Sequence, residues 1–282
     1  MENNLILSDN AAPIGVFDSG YGGLTILRDI QKKMPERNYI YMGDNARAPY
    51  GSRSFDVVYE FTLQSVKKLF SMGCHLVILA CNTASAKALR NIQQNDLPKL
   101  DPKRRVLGII RPTVEKIGLS SKTRHVGLVG TDGTIQSKSY PLEFKKLFPD
   151  IKVIDQACPM WVPIVENNES DGDGADYFVQ KYINELFDKD DQIDTLILGC
   201  THYPLLIDKI RKYAPKNVSI VSQGQIVADS LEDYLNRHKE IADKCTLGGK
   251  TKYYTTESID KFNDAASIFL NRNVKAEHIS LI

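Results

Sequence analysis

Apolar residues in this chain gather into short runs, each closed by a polar turn and followed by a longer segment in which apolar positions recur every three or four residues. The short runs are rich in β-branched residues and read as buried strands; the periodic segments read as helices packed over them. Residues 14–17 form the first strand. Asp18-Ser19-Gly20-Tyr21-Gly22-Gly23 turns the chain, and Leu24, Leu27, Gln31 and Met34 then share one helical face until Pro35. A strand over 38–42 runs into the turn-rich stretch 43–51. Ser54 stands as an N-cap for a helix carrying Phe55, Val58, Val66 and Leu69 inward, closed near Gly73. Residues 75–80 form the strand that delivers Cys81, and a helix follows through Ala84, Ala88 and Ile92. Residues 95–105 are polar, hold Pro98 and Pro102, and read as a crossover between domains.

The pattern then restarts. Strands are expected at 106–110, 126–129 and 151–154, with Gly130-Thr131-Asp132-Gly133-Thr134 as the turn after the second. Residues 167–174 are acidic and glycine-containing, a surface loop. A helix over 175–187 precedes the strand that delivers Cys200. A strand at 218–221, an amphipathic helix at 225–237, a strand at 252–255, a helix and a last short strand complete the chain. Strand alternating with helix predicts parallel sheets. The two halves also rhyme: Gly15-Val16-Phe17-Asp18-Ser19-Gly20 parallels Gly127-Leu128-Val129-Gly130-Thr131-Asp132, and Ala80-Cys81-Asn82-Thr83 parallels Gly199-Cys200-Thr201-His202, at similar offsets. Two similar α/β units, each presenting one cysteine, are therefore expected.

Composition narrows the chemistry. Of 282 residues, 42% are apolar and 25% charged, an ordinary globular balance. A formal net charge of +1 points to no nucleic acid and no membrane surface as partner. No apolar stretch approaches the ~20 residues of a membrane span. The first twelve residues lack the basic and apolar blocks of a signal peptide and are expected to be a poorly ordered extension. Five cysteines, an odd number without CxxC or CxxH spacing, argue against a disulfide framework or a zinc site and for a reducing cytoplasm. Cys74 and Cys245 read as small core residues, and Cys158, beside Pro159, stays open with a structural leaning.

Cys81 and Cys200 are different. Each sits where a strand ends and a helix is expected to begin, the place where open α/β sheets bind ligands and where helix amides lower a thiol's pKa. Asn82-Thr83 and Thr201-His202 supply polar groups beside them. Two thiols facing each other across a cleft can take a proton from one face of a carbon and return one to the other face. That inverts a stereocentre by acid–base chemistry without redox change. A carbon acid as weak as an amino-acid Cα–H also needs a dry site with donors for the carboxylate.

At this point the chain resembles the glutamate racemases of the cofactor-independent aspartate/glutamate racemase superfamily. The matching blocks run nearly end to end: Gly15-Val16-Phe17-Asp18-Ser19-Gly20-Tyr21-Gly22-Gly23-Leu24, Gly43-Asp44 with Pro49-Tyr50-Gly51, Ala80-Cys81-Asn82-Thr83-Ala84-Ser85, Gly130-Thr131 with Thr134, Cys158-Pro159 with Val162-Pro163 and Val165-Glu166, and Gly199-Cys200-Thr201-His202-Tyr203-Pro204-Leu205. The resemblance implies that Cys81 and Cys200 are the catalytic acid/base pair, Cys81 acting on the proton of D-glutamate and Cys200 on that of L-glutamate. It implies that Asp18 assists Cys81 and His202 assists Cys200, with Glu166 as a further catalytic carboxylate. Asp18, Ser19, Tyr50, Gly51, Asn82, Thr83, Thr201 and His202 match the residues that hold glutamate. Neither a cofactor nor a metal is implied. The product would feed peptidoglycan synthesis in a bacterial cytoplasm, and the enzyme would be a homodimer.

The resemblance also implies the domain plan. Residues 1–104 plus 222–282 would form the first α/β domain, carrying Asp18 and Cys81. Residues 105–221 would form the second, carrying Glu166 and Cys200, with the active site in the interdomain cleft. Bland alternatives exist for single residues: Asp18, Ser19, Asn82 and Thr83 also suit helix caps. The chain departs from the pattern at Ser222-Gln223-Gly224, where many relatives carry an acidic residue and a serine, and at Arg111. Rival readings are an aspartate or hydantoin racemase or a maleate isomerase of the same superfamily, a binding protein on that scaffold, and a thiol redox protein, which would need the two cysteines close enough to bond.

Overall fold

The structure, a computed structural model, describes residues 12–281; the expectation for the amino-terminal extension falls almost wholly outside them. Two parallel sheets organise the chain. The first contains β1 (Ile14–Asp18), β2 (Tyr39–Gly43), β3 (Leu76–Leu79) and β4 (Arg105–Gly108). The second contains β5 (His125–Gly130), β6 (Lys152–Ala157), β7 (Thr195–Gly199) and β8 (Ser219–Val221). The chain then returns to the first sheet with β9 (Thr251–Thr255) and β10 (Ala276–His278).

The strand orders are β10-β9-β2-β1-β3-β4 and β6-β5-β7-β8, and every strand pair is parallel. The order β2-β1-β3-β4 is the order β6-β5-β7-β8 over again. The rhyme read in the sequence is thus a repeated topology, with β9 and β10 added at one edge of the first copy. The inner strands β1, β2, β3 and β7 are buried at every position. Their unbroken apolar runs reflect helices covering both faces of a parallel sheet.

Four local expectations are corrected. The strand that opens the second half of the pattern, β4, pairs with β3 and so completes the first sheet. Crossover to the second sheet follows through the helix Ile110–Ser120, which begins at a residue expected to be in the strand. Residues 95–105 are not simply a polar crossover: a π turn spans Ile92–Asp96 and a short helix Leu97–Leu100. Pro98 lies in the first turn of that helix, where its missing N–H removes no intrahelical bond. Phe55, the first residue of the helix Phe55–Ser71, is exposed, so the inward face starts at Val58. That helix is capped as expected, Ser54 Oγ accepting the Val57 amide, and Gly73 beyond it takes a φ of 96°.

After β8 the chain re-enters the first half at the helix Gly224–Arg237. Lys33, at the end of the helix Gly23–Lys33, joins the two by ion pairs to Asp229 and Glu232. Among the described residues no helix is long and apolar enough to cross a membrane.

Candidate functional site

The carboxyl ends of β1 and β3 in the first sheet, and of β5 and β7 in the second, bring the nominated residues together. Asp18 ends β1, and Ser19 follows in the turn. Cys81 follows β3 as N-cap of the helix Asn82–Lys87, its Sγ accepting the Ala84 amide at 3.4 Å and lying 3.3 Å from Ser19 Oγ. Cys200 follows β7, but no α-helix starts there. A turn leads to a 3-10 segment, Tyr203–Leu206, with Pro204 inside it.

His202 lies between Cys200 and Glu166. Its Nδ1 is 3.8 Å from Cys200 Sγ and its Nε2 3.0 Å from Glu166 Oε1. Glu166 ends the helix Trp161–Glu166, so the Cys158-Pro159 block delivers this carboxylate to the back of the imidazole. The turn after β1 closes against these residues because it is built of glycine. A Cβ at Gly22 would come within 2.3 Å of Thr201 Oγ1 and 2.5 Å of His202 Nδ1. Thr25 Oγ1 donates to the Thr201 carbonyl at 3.2 Å, a further tie between the halves.

The electrostatics of the two corners diverge. Burial, then the Asp18 carboxylate, push the Cys81 thiol up to about 12, against the pull of the Ser19 hydroxyl and the Ala84 amide; nearby Cys200 adds to the rise. Helix amides are present, as the sequence led us to expect, but burial outweighs them, and Cys81 holds its proton at neutral pH. Burial also drives the Asp18 carboxyl above the usual carboxylate range, although the His202 cation and the Gly23 and Gly20 amides oppose it. Asp18 Oδ2 accepts the Gly20 amide at 3.0 Å; its Oδ1 is buried and has no partner in the protein. Burial pushes the His202 imidazole down, but hydrogen bonds to Cys200 and Glu166, reinforced by their charges, carry it up to about 10. His202 is therefore a cation at neutral pH.

Tyr50 and Gly51 come to the site differently from the rest. The Tyr50 phenol is committed to Asp44, which also binds Arg47 Nε at 2.6 Å and Thr256 Oγ1 at 3.0 Å. That leaves the backbone of Tyr50 and Gly51 as what this loop can offer a ligand. Gly51 O accepts the Gly133 amide at 2.7 Å, linking the loop to the second half. Arg47 and Arg111, the arginines one would first suspect as carboxylate binders, are paired with Asp44 and with Glu115.

Sequence reading missed a buried network. Asn82 Nδ2 donates to Gln223 Oε1 at 2.6 Å, Tyr140 OH donates to Asn82 Oδ1 at 2.7 Å, and Gln223 Nε2 reaches Thr113 Oγ1 at 2.9 Å and Tyr140 OH at 2.7 Å. This ties the residue after Cys81 to the second half and to the segment where the chain crosses back. Gln223 was visible as a departure from the family pattern; Tyr140, on an ordinary amphipathic helix, carried no signal. Thr83 likewise meets Thr131 and Thr134 at 3.0 and 3.3 Å. Those two threonines stood in a matching block without being nominated. Among the described residues every cysteine is a free thiol, and no cluster of His, Cys, Asp or Glu could hold a metal ion.

Known proteins resemble this chain over most of its length. The family described as Asp/Glu/Hydantoin racemase matches residues 23–231. A glutamate racemase of Roseobacter denitrificans is 40% identical over 274 residues, spanning 93% of this chain and 98% of its own. The crystal structure of a glutamate racemase isoform from Bacillus anthracis superposes with a TM-score of 0.87 at 35% identity, covering 96% of this chain and 98% of that one. A glutamate racemase from Francisella tularensis, crystallised with D-glutamate, superposes with a TM-score of 0.85 at 32% identity, covering 97% and 99%.

Proposed function

The chain belongs to the Asp/Glu/Hydantoin racemase family, and we propose that it interconverts L- and D-glutamate by moving the Cα proton between Cys200 and Cys81. In the L-to-D direction the Cα–H bond breaks as the proton passes to Cys200. A new bond forms on the opposite face with the proton that Cys81 holds, and no electron pair leaves the substrate. A positioned acid or base of this kind contributes roughly 10²–10⁴-fold. The His202 cation, backed by Glu166, stands beside the Cys200 sulfur, which carries negative charge whenever it is without its proton. Asp18 and Ser19 are the corresponding neighbours of Cys81. Asp18, Ser19, Thr83, Thr201 and His202 hold the substrate through side chains. Tyr50, Gly51 and Asn82 do so through their backbone, because the Tyr50 phenol and much of the Asn82 amide are already engaged. The reaction asks for no cofactor.

One observation carries the reading: two buried thiols follow the carboxyl ends of equivalent strands of a repeated topology. The proposal extends to two bodies closing over the substrate, one holding residues 1–104 and 222–282 and the other most of 105–221, with β4 going to the first. Closure would exclude water. It extends also to a cytoplasmic homodimer that supplies D-glutamate for cell-wall peptidoglycan, C2 dimers being the commonest oligomers; light scattering of the purified protein tests the dimer.

The test of the activity is circular dichroism of L-glutamate followed over time, without pyridoxal phosphate, beside Cys81→Ser and Cys200→Ser and with L-aspartate as second substrate. Decay to zero with glutamate alone, lost in both variants, is expected. Decay with aspartate only would overturn the glutamate assignment, and no decay with either would overturn the catalytic one.

A further inference from the structure

The first sheet carries a second concave site at its opposite end. A cavity of about 480 Å³ opens at the amino ends of β2 and β9, lined among others by Gln31, Arg37, Tyr253, Arg272 and Lys275. That volume lies within the roughly 300–1,000 Å³ usual for small-molecule sites. Cys81 is at the carboxyl end of β3 in this same parallel sheet, so the five-residue strands β2 and β9 put roughly 16 Å between the two places along the strand direction alone.

Three cationic side chains line this cavity, and no carboxylate does. Both guanidinium groups are held by neutral acceptors. Arg37 spends Nη1 on the carbonyls of Ala242 and Cys245, each at 2.9 Å. Arg272 spends Nη2 on Gln31 Oε1 at 2.8 Å and Tyr253 OH at 3.0 Å. Glu36 stands 3.9 Å from Arg37 Nε, beyond hydrogen-bond reach, and more than half of its side chain is exposed to solvent. Lys275 makes no ion pair among the described residues. Glu36 thus offsets part of the Arg37 charge, while Arg272 is held in place by tethers that do not neutralise it. A cation already held by neutral groups loses little further freedom on binding an anion, and the remaining edge of the Arg272 guanidinium matches the oxyanion fork.

We propose that this cavity is a binding site for a small multivalent phosphate, with Arg37, Arg272 and Lys275 facing the phosphoryl oxygens. The occupant would bridge the turn before β2 and the turn before β10. The site is independent of the racemase reading, since its ligand is recognised by charge and not by the thiols.

Inorganic pyrophosphate is the probe, titrated calorimetrically into the full chain at low ionic strength. Saturable one-to-one binding is expected. It should weaken by roughly tenfold or more in the double variant Arg272→Gln with Lys275→Gln, which removes charge-assisted bonds. It should persist in Lys145→Gln with Lys146→Gln, which removes the same charge from an exposed helix face. Far-UV circular dichroism of both variants reports whether the fold is kept. Absence of binding to the unaltered protein, or equal weakening in the two double variants, would overturn the proposal.

Discussion

The corner after β3 and the corner after β7 occupy the same place in the repeated strand order, yet their sulfurs have different company. Cys81 caps a helix, touches Ser19, and is held protonated by burial and Asp18. Cys200 has no helix behind it and instead meets an imidazolium braced by a carboxylate. A reaction that takes a proton on one face and delivers one on the other needs its two groups in opposite starting states. Topology supplied two equivalent positions; packing gave their sulfurs different neighbours.

The largest expected effect removes one corner at a time. In D₂O, Cys81→Ser should exchange the Cα proton of L-glutamate alone and Cys200→Ser that of D-glutamate alone, while racemisation drops by roughly 10²–10⁴-fold; proton NMR of each enantiomer reads this. Exchange of both enantiomers by either variant would break the comparison.

His202→Asn should lower kcat by roughly 10²-fold, the scale of one lost preorganised charge partner, and should also alter the pH dependence of stability. His202 titrates near 6.5 when unfolded and near 10 in the fold. Its charge stabilises the fold fully below about 6.5, and that contribution fades as pH rises and is gone above about 10. Cys81, at 9 unfolded and about 12 folded, favours the fold through its neutral form, so its contribution is whole below about 9 and is lost towards about 12. Urea melts across pH should show His202→Asn flattening the first window and Cys81→Ser the second.

Gly22→Ala pushes a methyl against Thr201 and His202. A displacement on that scale costs roughly 10²-fold in rate, and the loss should fall mainly on kcat with L-glutamate, the Cys200 side. The smallest effect is expected of Gln223→Met, which keeps length and removes the bonds to Asn82, Tyr140 and Thr113. Leaving such buried partners unsatisfied costs about 1–3 kcal/mol, seen as a lower denaturation midpoint. Because Asn82 follows Cys81, the primary isotope effect should rise more with D-[2-²H]glutamate than with the L enantiomer.

Much of this was legible in the chain. Apolar runs marked the strands because a parallel sheet covered on both faces admits few polar residues. The two cysteine blocks stood out because polar residues gather where such a strand ends. Ser54 and Gly73 announced the limits of their helix by local chemistry alone. Other features were not local. Nothing in residues 105–108 says which sheet they join, since either edge would bury the same side chains. Tyr140 and Gln223 are far apart in sequence and become partners only when the halves meet.

The sequence by itself determined the alternation of strand and helix, the repeat, and the two thiols with their polar neighbours, because these depend on residue type and short spacing. Tertiary structure decided that Cys81 keeps its proton and that His202 is charged, because burial and through-space charge act between groups the chain holds apart. Helix amides alone would have lowered the Cys81 thiol; packing around it overrode them.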